Sequence, residues 1–108
     1  MAKIDDMLRL MVEKGASDLH IYSGEVPTAR VHGSLIPLEP GREKLSEQDL
    51  KTLLYEIVAE EKRHIIENDL DLDFAYHIPG VSRFRVNYFF QQGGISAVFR
   101  RIPANVEA

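Results

Sequence analysis

The amino-acid sequence predicts an α+β domain in which helices pack on one face of an antiparallel sheet of about five or six strands. Three observations lead to this prediction. Apolar residues recur with helical spacing at the N-terminus and again in the middle of the chain. Over the last third they alternate with polar residues, the pattern of half-buried strands. The length of 108 residues suits a single hydrophobic core.

The N-terminal segment predicts an amphipathic helix followed by a short strand. The apolar residues with helical spacing are Ile4, Met7, Leu8, Met11 and Val12. Gly15 suits the end of that helix, because glycine readily adopts the left-handed conformation that often follows a helix. Residues 18–22 then alternate like a strand, with Leu19 and Ile21 facing inward.

The middle of the chain predicts a hairpin and then a second helix. Residues 28–38 alternate on either side of a turn at Gly33-Ser34. Ser46 and Asp49 have the spacing of a capping box at a helix N-terminus. The helical stripe that follows consists of Leu50, Leu53, Leu54, Ile57 and Val58, and a continuation or a short third helix carries Ile65 and Ile66.

The last third predicts three strands joined by tight turns. The apolar faces of the first two strands comprise Leu72, Phe74, Tyr76 and Ile78, and then Phe84, Val86, Tyr88 and Phe90. Pro79-Gly80 and Gly93-Gly94 supply the turns. A strand from Ile95 to Ile102 follows, and Pro103 ends the regular pattern.

Charge is distributed unevenly along a chain whose formal net charge is -4. Residues 1–38 carry four basic and five acidic residues, and residues 39–73 carry five and eleven. Residues 74–108 carry one acidic residue and four arginines, Arg83, Arg85, Arg100 and Arg101. The net acidity argues against a general nucleic-acid binder. The arginines indicate either contact with an anion, since guanidinium groups bind phosphate or carboxylate bidentately, or pairing with the acidic middle of the chain.

Polar residues share one face of the predicted sheet. By the two-residue period of a strand, this face carries Asp18, His20 and Tyr22, then Arg30 and His32, then Arg83, Arg85 and Asn87, and finally Arg100. A sheet face of this kind is either solvated or docks an anionic partner, and the sequence leaves both possibilities open.

Motifs for catalysis within the chain are lacking. The seven glycines never take the spacing of a phosphate-binding loop, and there is no G-x-S-x-G nucleophile elbow. With no cysteine, disulfides and thiolate chemistry are excluded. Asp18, His20 and His32 offer metal-ligating groups, but without a metal-site spacing. A hydrolase built on Asp18 and His20 would lack a nucleophile.

Four segments carry a pattern that spans nearly the whole chain. They are Gly-Ala-Ser-Asp-Leu-His at 15–20, Arg-Val-x-Gly at 30–33, Pro-Gly-Val-x-Arg-Phe-Arg-Val-Asn-x-Phe-x-Gln at 79–91 and Phe-Arg-x-Ile-Pro at 99–103. In this order they resemble the start of the bacterial secretion and type IV pilus ATPases, most closely the PilT-like retraction motors. His32 and Arg101 depart from the family pattern, which leaves the details of partner contact open.

The resemblance implies a PAS-like N-terminal domain over residues 1–103, with residues 104–108 beginning a linker to a RecA-like ATPase domain. It implies a homo-hexameric motor that uses ATP and Mg²⁺ for pilus retraction and twitching motility. Such a motor is cytoplasmic and attaches to the inner membrane through a pilus platform protein. We expect no nucleic-acid partner, no tightly bound cofactor on this chain alone and, without a phosphate loop, no ATP hydrolysis by it.

The resemblance also assigns roles to residues. Arg83, Arg85 and Arg100 match the family's basic strand positions and are expected to reach the ATP phosphates as arginine-finger-like sensors, with Arg30 as a further candidate. Asp18 and His20 are expected to orient strands or to contact the neighbouring ATPase domain, and a local turn or cap hydrogen bond is the alternative for Asp18.

Two other functions stay open at this point. One is a free-standing PAS-like sensor that binds a small molecule in a cavity lined by Phe74, Tyr76, Phe84 and Tyr88. The other is the equivalent domain of a pilus-assembly or type II secretion ATPase.

Overall fold

The computed structural model describes residues 2–41, 43–91 and 94–102. These residues form α1 (Ile4–Glu13), β1 (Asp18–Ile21), β2 (Thr28–Val31), β3 (Ser34–Pro37), α2 (Glu47–Tyr55), α3 (Glu60–Asp69), β4 (Asp71–Ile78), β5 (Ser82–Gln91) and β6 (Gly94–Ile102). The predictions made for Gly93, for Pro103 and for the linker at 104–108 lie outside the described residues.

The strands form one sheet in the order β3-β2-β1-β6-β5-β4. Every pair within it is antiparallel. The last strand, β6, therefore returns to the centre and joins the N-terminal half of the sheet to the hairpin of β4 and β5. An antiparallel sheet with helices on one side is the predicted α+β fold, which is thus confirmed.

Alternate residues of neighbouring strands line up beneath the helices. One row of Cα partners crosses five strands through Ala29, Leu19, Phe99, Val86 and Phe74. All but the last of these five side chains are completely buried. The helices cover them with side chains that include Ile4, Leu8, Met11, Leu50, Leu54 and Ile66, each fully buried. Burial of this apolar surface, worth roughly 25 cal/mol per Å², holds the helices to one face.

At both ends of α2, side chains bond to backbone groups that have no hydrogen-bond partner inside the helix. The predicted capping box is present, since the Ser46 hydroxyl accepts from the Asp49 N–H and the Asp49 carboxylate accepts from the Ser46 N–H. At the other end, the buried Tyr88 hydroxyl donates to the Leu54 carbonyl at 2.7 Å. These contacts matter because the last four carbonyls of a helix have no partner inside the helix.

The hairpin turn differs by one residue from the prediction. It is formed by His32 and Gly33, with φ of 51° and 84°, while Ser34 already belongs to β3. Two-residue hairpin loops with positive φ at both positions match the right-handed twist of the flanking strands. The twist of the strands therefore favours a turn at His32-Gly33, with His32 in the left-handed conformation, and the predicted turn at Gly33-Ser34 is wrong by one residue.

The aromatic residues proposed to line a sensor cavity fill the core instead. Phe84 and Tyr88 are fully buried, and the rings of Phe74 and Tyr88 meet edge to face with centroids 5.1 Å apart. The Tyr76 hydroxyl donates to the buried Asp5 carboxylate at 2.6 Å and ties β4 to α1. In the described part of the chain, these four side chains lie in or against the core, which argues against the sensor hypothesis.

Among the described helices, none is both long enough and apolar enough to cross a membrane.

The hydrogen bond from Tyr88 to α2 predicts a measurable loss of stability. We expect Tyr88→Phe to lower the free energy of unfolding by about 1–2 kcal/mol, because the Leu54 carbonyl is left buried without a donor. Tyr55→Phe is the matched control, since the Tyr55 hydroxyl donates to Glu67 at 3.3 Å on the surface and its loss costs less than about 0.5 kcal/mol. Urea denaturation measures both; equal losses would contradict this role of Tyr88.

Candidate anion-binding site on the open sheet face

Four charged residues line up across the sheet face that the helices leave open. Asp18 in β1 is the Cα partner of Arg30 in β2 and of Arg100 in β6. Arg100 is in turn the partner of Arg85 in β5. We call Arg30, Asp18, Arg100 and Arg85, in this spatial order, the arginine row. The alternation seen in the sequence thus becomes one line of three guanidinium groups and one carboxylate across four strands.

In the half of the row that contains Asp18 and Arg30, the charged groups have partners within the domain. The Asp18 carboxylate accepts from the Ser17 hydroxyl at 2.7 Å and lies 3.5 Å from Arg30 Nε. Its other oxygen is 2.5 Å from His20 Nε2. Because an ionised carboxylate can only accept, we assign the Nε2 proton to His20 as the donor in this contact.

These contacts keep Asp18 ionised. Burial alone would raise the pKa of the carboxyl group. The hydrogen bonds from Ser17 and His20, with the charges of His20 and Arg30, outweigh that effect and hold the pKa of Asp18 below its ordinary value of 3.8. Asp18 therefore acts as a fixed negative charge beside Arg30.

An aromatic chain extends from His20 along the same face. The Tyr22 hydroxyl is 3.0 Å from His20 Nδ1, and it donates to this nitrogen when the ring is neutral. The Tyr22 ring then meets the Phe89 ring edge to face, with centroids 6.0 Å apart. Asp18 and His20 are thus linked to β5 through a continuous set of side-chain contacts.

The other half of the row, Arg85 and Arg100, forms no ion pair among the described residues. Arg85 and Arg100 are exposed and lie directly opposite each other on adjacent strands, an arrangement of like charges that destabilises a sheet. Arg83 likewise forms no ion pair with the residues that the structure describes. The two arginines line an open groove of about 290 Å³, together with Asp73, Asn87 and Val98 among others.

Two acidic residues that are alternative partners of the arginines, Asp71 and Asp73, accept hydrogen bonds from Asn87 instead of forming ion pairs with other described residues. The Asn87 amide donates to Asp71 and to Asp73, at 2.9 Å in both cases. This contact fixes both carboxylates at the edge strand β4. Among the described residues, neither Asp71 nor Asp73 forms an ion pair with Arg85 or Arg100, although Asp73 lines the same groove.

The remaining candidate residues take separate positions. Arg83 projects from the same face of β5 as Arg85, two residues along the strand, where its partners are Ile102 and His77. His32 lies in the hairpin turn, apart from the Asp18–His20 contact. No group of three or more metal-ligating side chains comes together in the part of the chain that is described. The structure thus brings Arg85 and Arg100 together and places Arg83 at their flank.

The chain is similar to two proteins of Pseudomonas aeruginosa. It is 41% identical over 105 residues to the type IV pilus retraction ATPase PilT, an alignment that covers 95% of this chain and 29% of PilT. It is 34% identical over 104 residues to the type IV pilus ATPase PilU, covering 96% of this chain and 27% of PilU. No family model matches the sequence.

A solved structure agrees with these relatives. The crystal structure of the pilus retraction motor PilT with bound ADP superimposes with a TM-score of 0.87 at 33% identity, covering 99% of this chain and 31% of that one. Over nearly its whole length, the chain is thus similar to the N-terminal domain of the PilT-like ATPases. Its fold matches the N-terminal domain of PilT. This PilT-like domain spans less than a third of the length of the relatives it matches.

The contacts of Asp18 predict a pH-dependent contribution to the stability of the PilT-like domain. Because the folded-state pKa lies below the unfolded one, this contribution is complete above about pH 5 and is lost as the pH falls through the folded pKa. We expect Asp18→Asn to cost about 1–3 kcal/mol at pH 7, because charge-assisted hydrogen bonds are lost.

Urea denaturation of both proteins at pH 7, 5 and 3 tests this expectation. The difference between them should shrink toward pH 3, where the wild-type carboxyl group begins to be protonated. Asp6→Asn is the control, since the Asp6 side chain is 89% exposed and its ion pair with Arg9 is 3.7 Å long. A difference that is the same at all three pH values would contradict the electrostatic role of Asp18.

Proposed function

We propose that this chain is the N-terminal domain of a hexameric ATPase that retracts type IV pili and powers twitching motility. In this proposal a RecA-like ATPase domain of the same polypeptide holds ATP, and the open sheet face closes on the nucleotide. The observation that carries the proposal is the exposed pair of Arg85 and Arg100, which lie directly opposite each other and form no ion pair among the described residues. Similarity to PilT, whose crystal structure contains bound ADP, supports a nucleotide as the anion.

The side chains of Arg85 and Arg100 are chemically suited to bind a phosphate group. Each guanidinium group offers several N–H donors in a planar fork that matches two phosphate oxygens. An anion between Arg85 and Arg100 would also convert their mutual repulsion into two attractions. Arg83 adds positive charge at the flank of this pair, whereas Arg30 is already engaged by Asp18 and contributes less.

The proposal assigns a limited part of the chemistry to this domain. ATP supplies the phosphoryl group that is transferred to water, and the ATPase domain supplies its phosphate loop and its Mg²⁺. Arginines donated from outside a phosphate loop stabilise the negative charge that develops on the phosphoryl oxygens. The same contacts make closure of this domain depend on whether nucleotide is present.

Closure on nucleotide also suggests how force is passed around the motor. In a ring of six subunits, a domain that docks on nucleotide at a subunit boundary communicates the state of that site to the neighbouring subunit. We place this ring in the cytoplasm, at the inner-membrane platform of the pilus. Asp18 and His20 hold β1 in place behind the arginines, and a further contact of theirs with an ATPase domain is part of the proposal.

Replacement of the arginines in the full-length protein tests the proposal. We expect Arg85→Ala and Arg100→Ala each to lower the ATPase rate by about 10²-fold, because each removes a donor to the transferring phosphoryl group. Arg83→Ala should have a smaller effect, and Arg30→Ala a smaller one still. Pilus retraction, measured as twitching, should fall with the ATPase rate.

Arg9→Ala provides the matched control, since it removes the same kind of side chain from α1 on the opposite side of the sheet. Its ATPase rate should stay within about twofold of the wild type. Wild-type ATPase rates in both Arg85→Ala and Arg100→Ala would overturn the phosphate-contact proposal.

A further inference from the structure

A second surface lies on the opposite side of the domain from the arginine row. It is an open groove of about 570 Å³ between α1 and α2. Residues of α1 and residues along one side of α2 line it, and the connection between β3 and α2 contributes Glu39 and Leu45. The residues that line it are Lys3, Asp6, Met7, Leu10, Glu39, Leu45, Asp49, Thr52 and Leu53.

The floor of this groove is apolar and its rim is acidic. Met7 and Leu53 are almost buried, whereas Leu10 and Leu45 are half-buried and lie against the core. The carboxylates of Asp6, Glu39 and Asp49 line the rim together with the ammonium group of Lys3. Asp6 is 89% exposed and lies 3.7 Å from Arg9, and the Asp49 carboxylate accepts from the Ser46 N–H, so the rim keeps a net negative charge. Apolar side chains between two helices can receive the apolar stripe of a third helix, and an acidic rim attracts lysine and arginine.

We propose that the α1–α2 groove binds a basic amphipathic helix of a partner protein. The apolar side chains of that helix, spaced at i, i+3, i+4 and i+7, would contact Met7, Leu10 and Leu53. Its basic residues would lie beside Asp6 and Asp49. This surface is on the far side of the sheet from Arg85 and Arg100, so the arginine row and the groove can be occupied at the same time.

The charges of this chain make a second copy a poor occupant. α1 carries three acidic residues and one basic residue, and α2 carries two and one. α3 carries four acidic and two basic residues. Each of these helices would bring further negative charge to an acidic rim. A basic helix from another protein is therefore the occupant that the electrostatics favour.

A synthetic helix tests the proposal on the chain itself. The probe is a fluorescein-labelled peptide of about 18 residues, with leucine at the i, i+3, i+4 and i+7 positions and lysine elsewhere. A peptide of the same composition in scrambled order lacks the apolar stripe, and one with glutamate in place of lysine lacks the charge. Fluorescence anisotropy should show saturable binding of the first peptide, at least tenfold tighter than of either control.

Substitutions in the groove locate the binding. Asp6→Lys reverses a rim charge, and Thr52→Lys places a cation on the exposed wall formed by α2. Each should weaken binding at least tenfold. Glu61→Lys makes the same change in charge as Asp6→Lys on α3, outside the groove, and should change binding by less than twofold. Unchanged urea midpoints of the groove variants would show that folding is not the cause.

Three results would overturn the proposal. The first is equal binding of the ordered and scrambled peptides, which would indicate general charge attraction. The second is an equal loss of affinity in Asp6→Lys and Glu61→Lys. The third is dimerisation of the chain, measured by sedimentation, that Thr52→Lys abolishes, because a second copy would then occupy the groove.

Discussion

The two-residue period of the strands is the constraint on which the rest of this domain depends. Each strand must place its apolar side chains beneath the helices, because that burial supplies most of the stabilisation of a domain this small. The alternate side chains are thereby forced onto the open face, whatever their charge. Arg85 and Arg100 lie opposite each other because Val86 and Phe99, which follow and precede them, must meet inside the core. The like-charge contact is thus a consequence of the register that the core requires.

Much of the fold follows from local signals in the sequence. The apolar stripe of α1, the capping box at Ser46 and the alternation from Leu72 onward each report on residues close in the chain, and the structure confirms them. The shared face of Asp18, Arg30, Arg85 and Arg100 also followed from the strand period, whereas His32, predicted on the same face, lies in the turn. The turn at His32 was misplaced by one residue, because strand twist rather than glycine content decides which two residues form it.

The arrangement of the site could not be predicted in the same way. That β6 lies between β1 and β5 is a property of long-range pairing, and only this order makes Asp18 a neighbour of Arg100. The difference between the two halves of the arginine row depends on it. The hydrogen bonds from Asn87 to Asp71 and Asp73 also depend on long-range pairing, because they join residues on two strands. The sequence therefore did not predict them. Alternation locates a residue on a face, whereas register decides which charge it meets.

The domain therefore presents two unlike surfaces, an arginine-bearing sheet and an acidic groove between helices. The most direct test of the central claim is a structure of the full-length protein with Mg²⁺ and a non-hydrolysable ATP analogue. We expect guanidinium nitrogens of Arg85 and Arg100 to lie about 2.7–3.2 Å from phosphate oxygens. Arginines that instead face solvent, or pair with Asp73 while the nucleotide is bound, would contradict it.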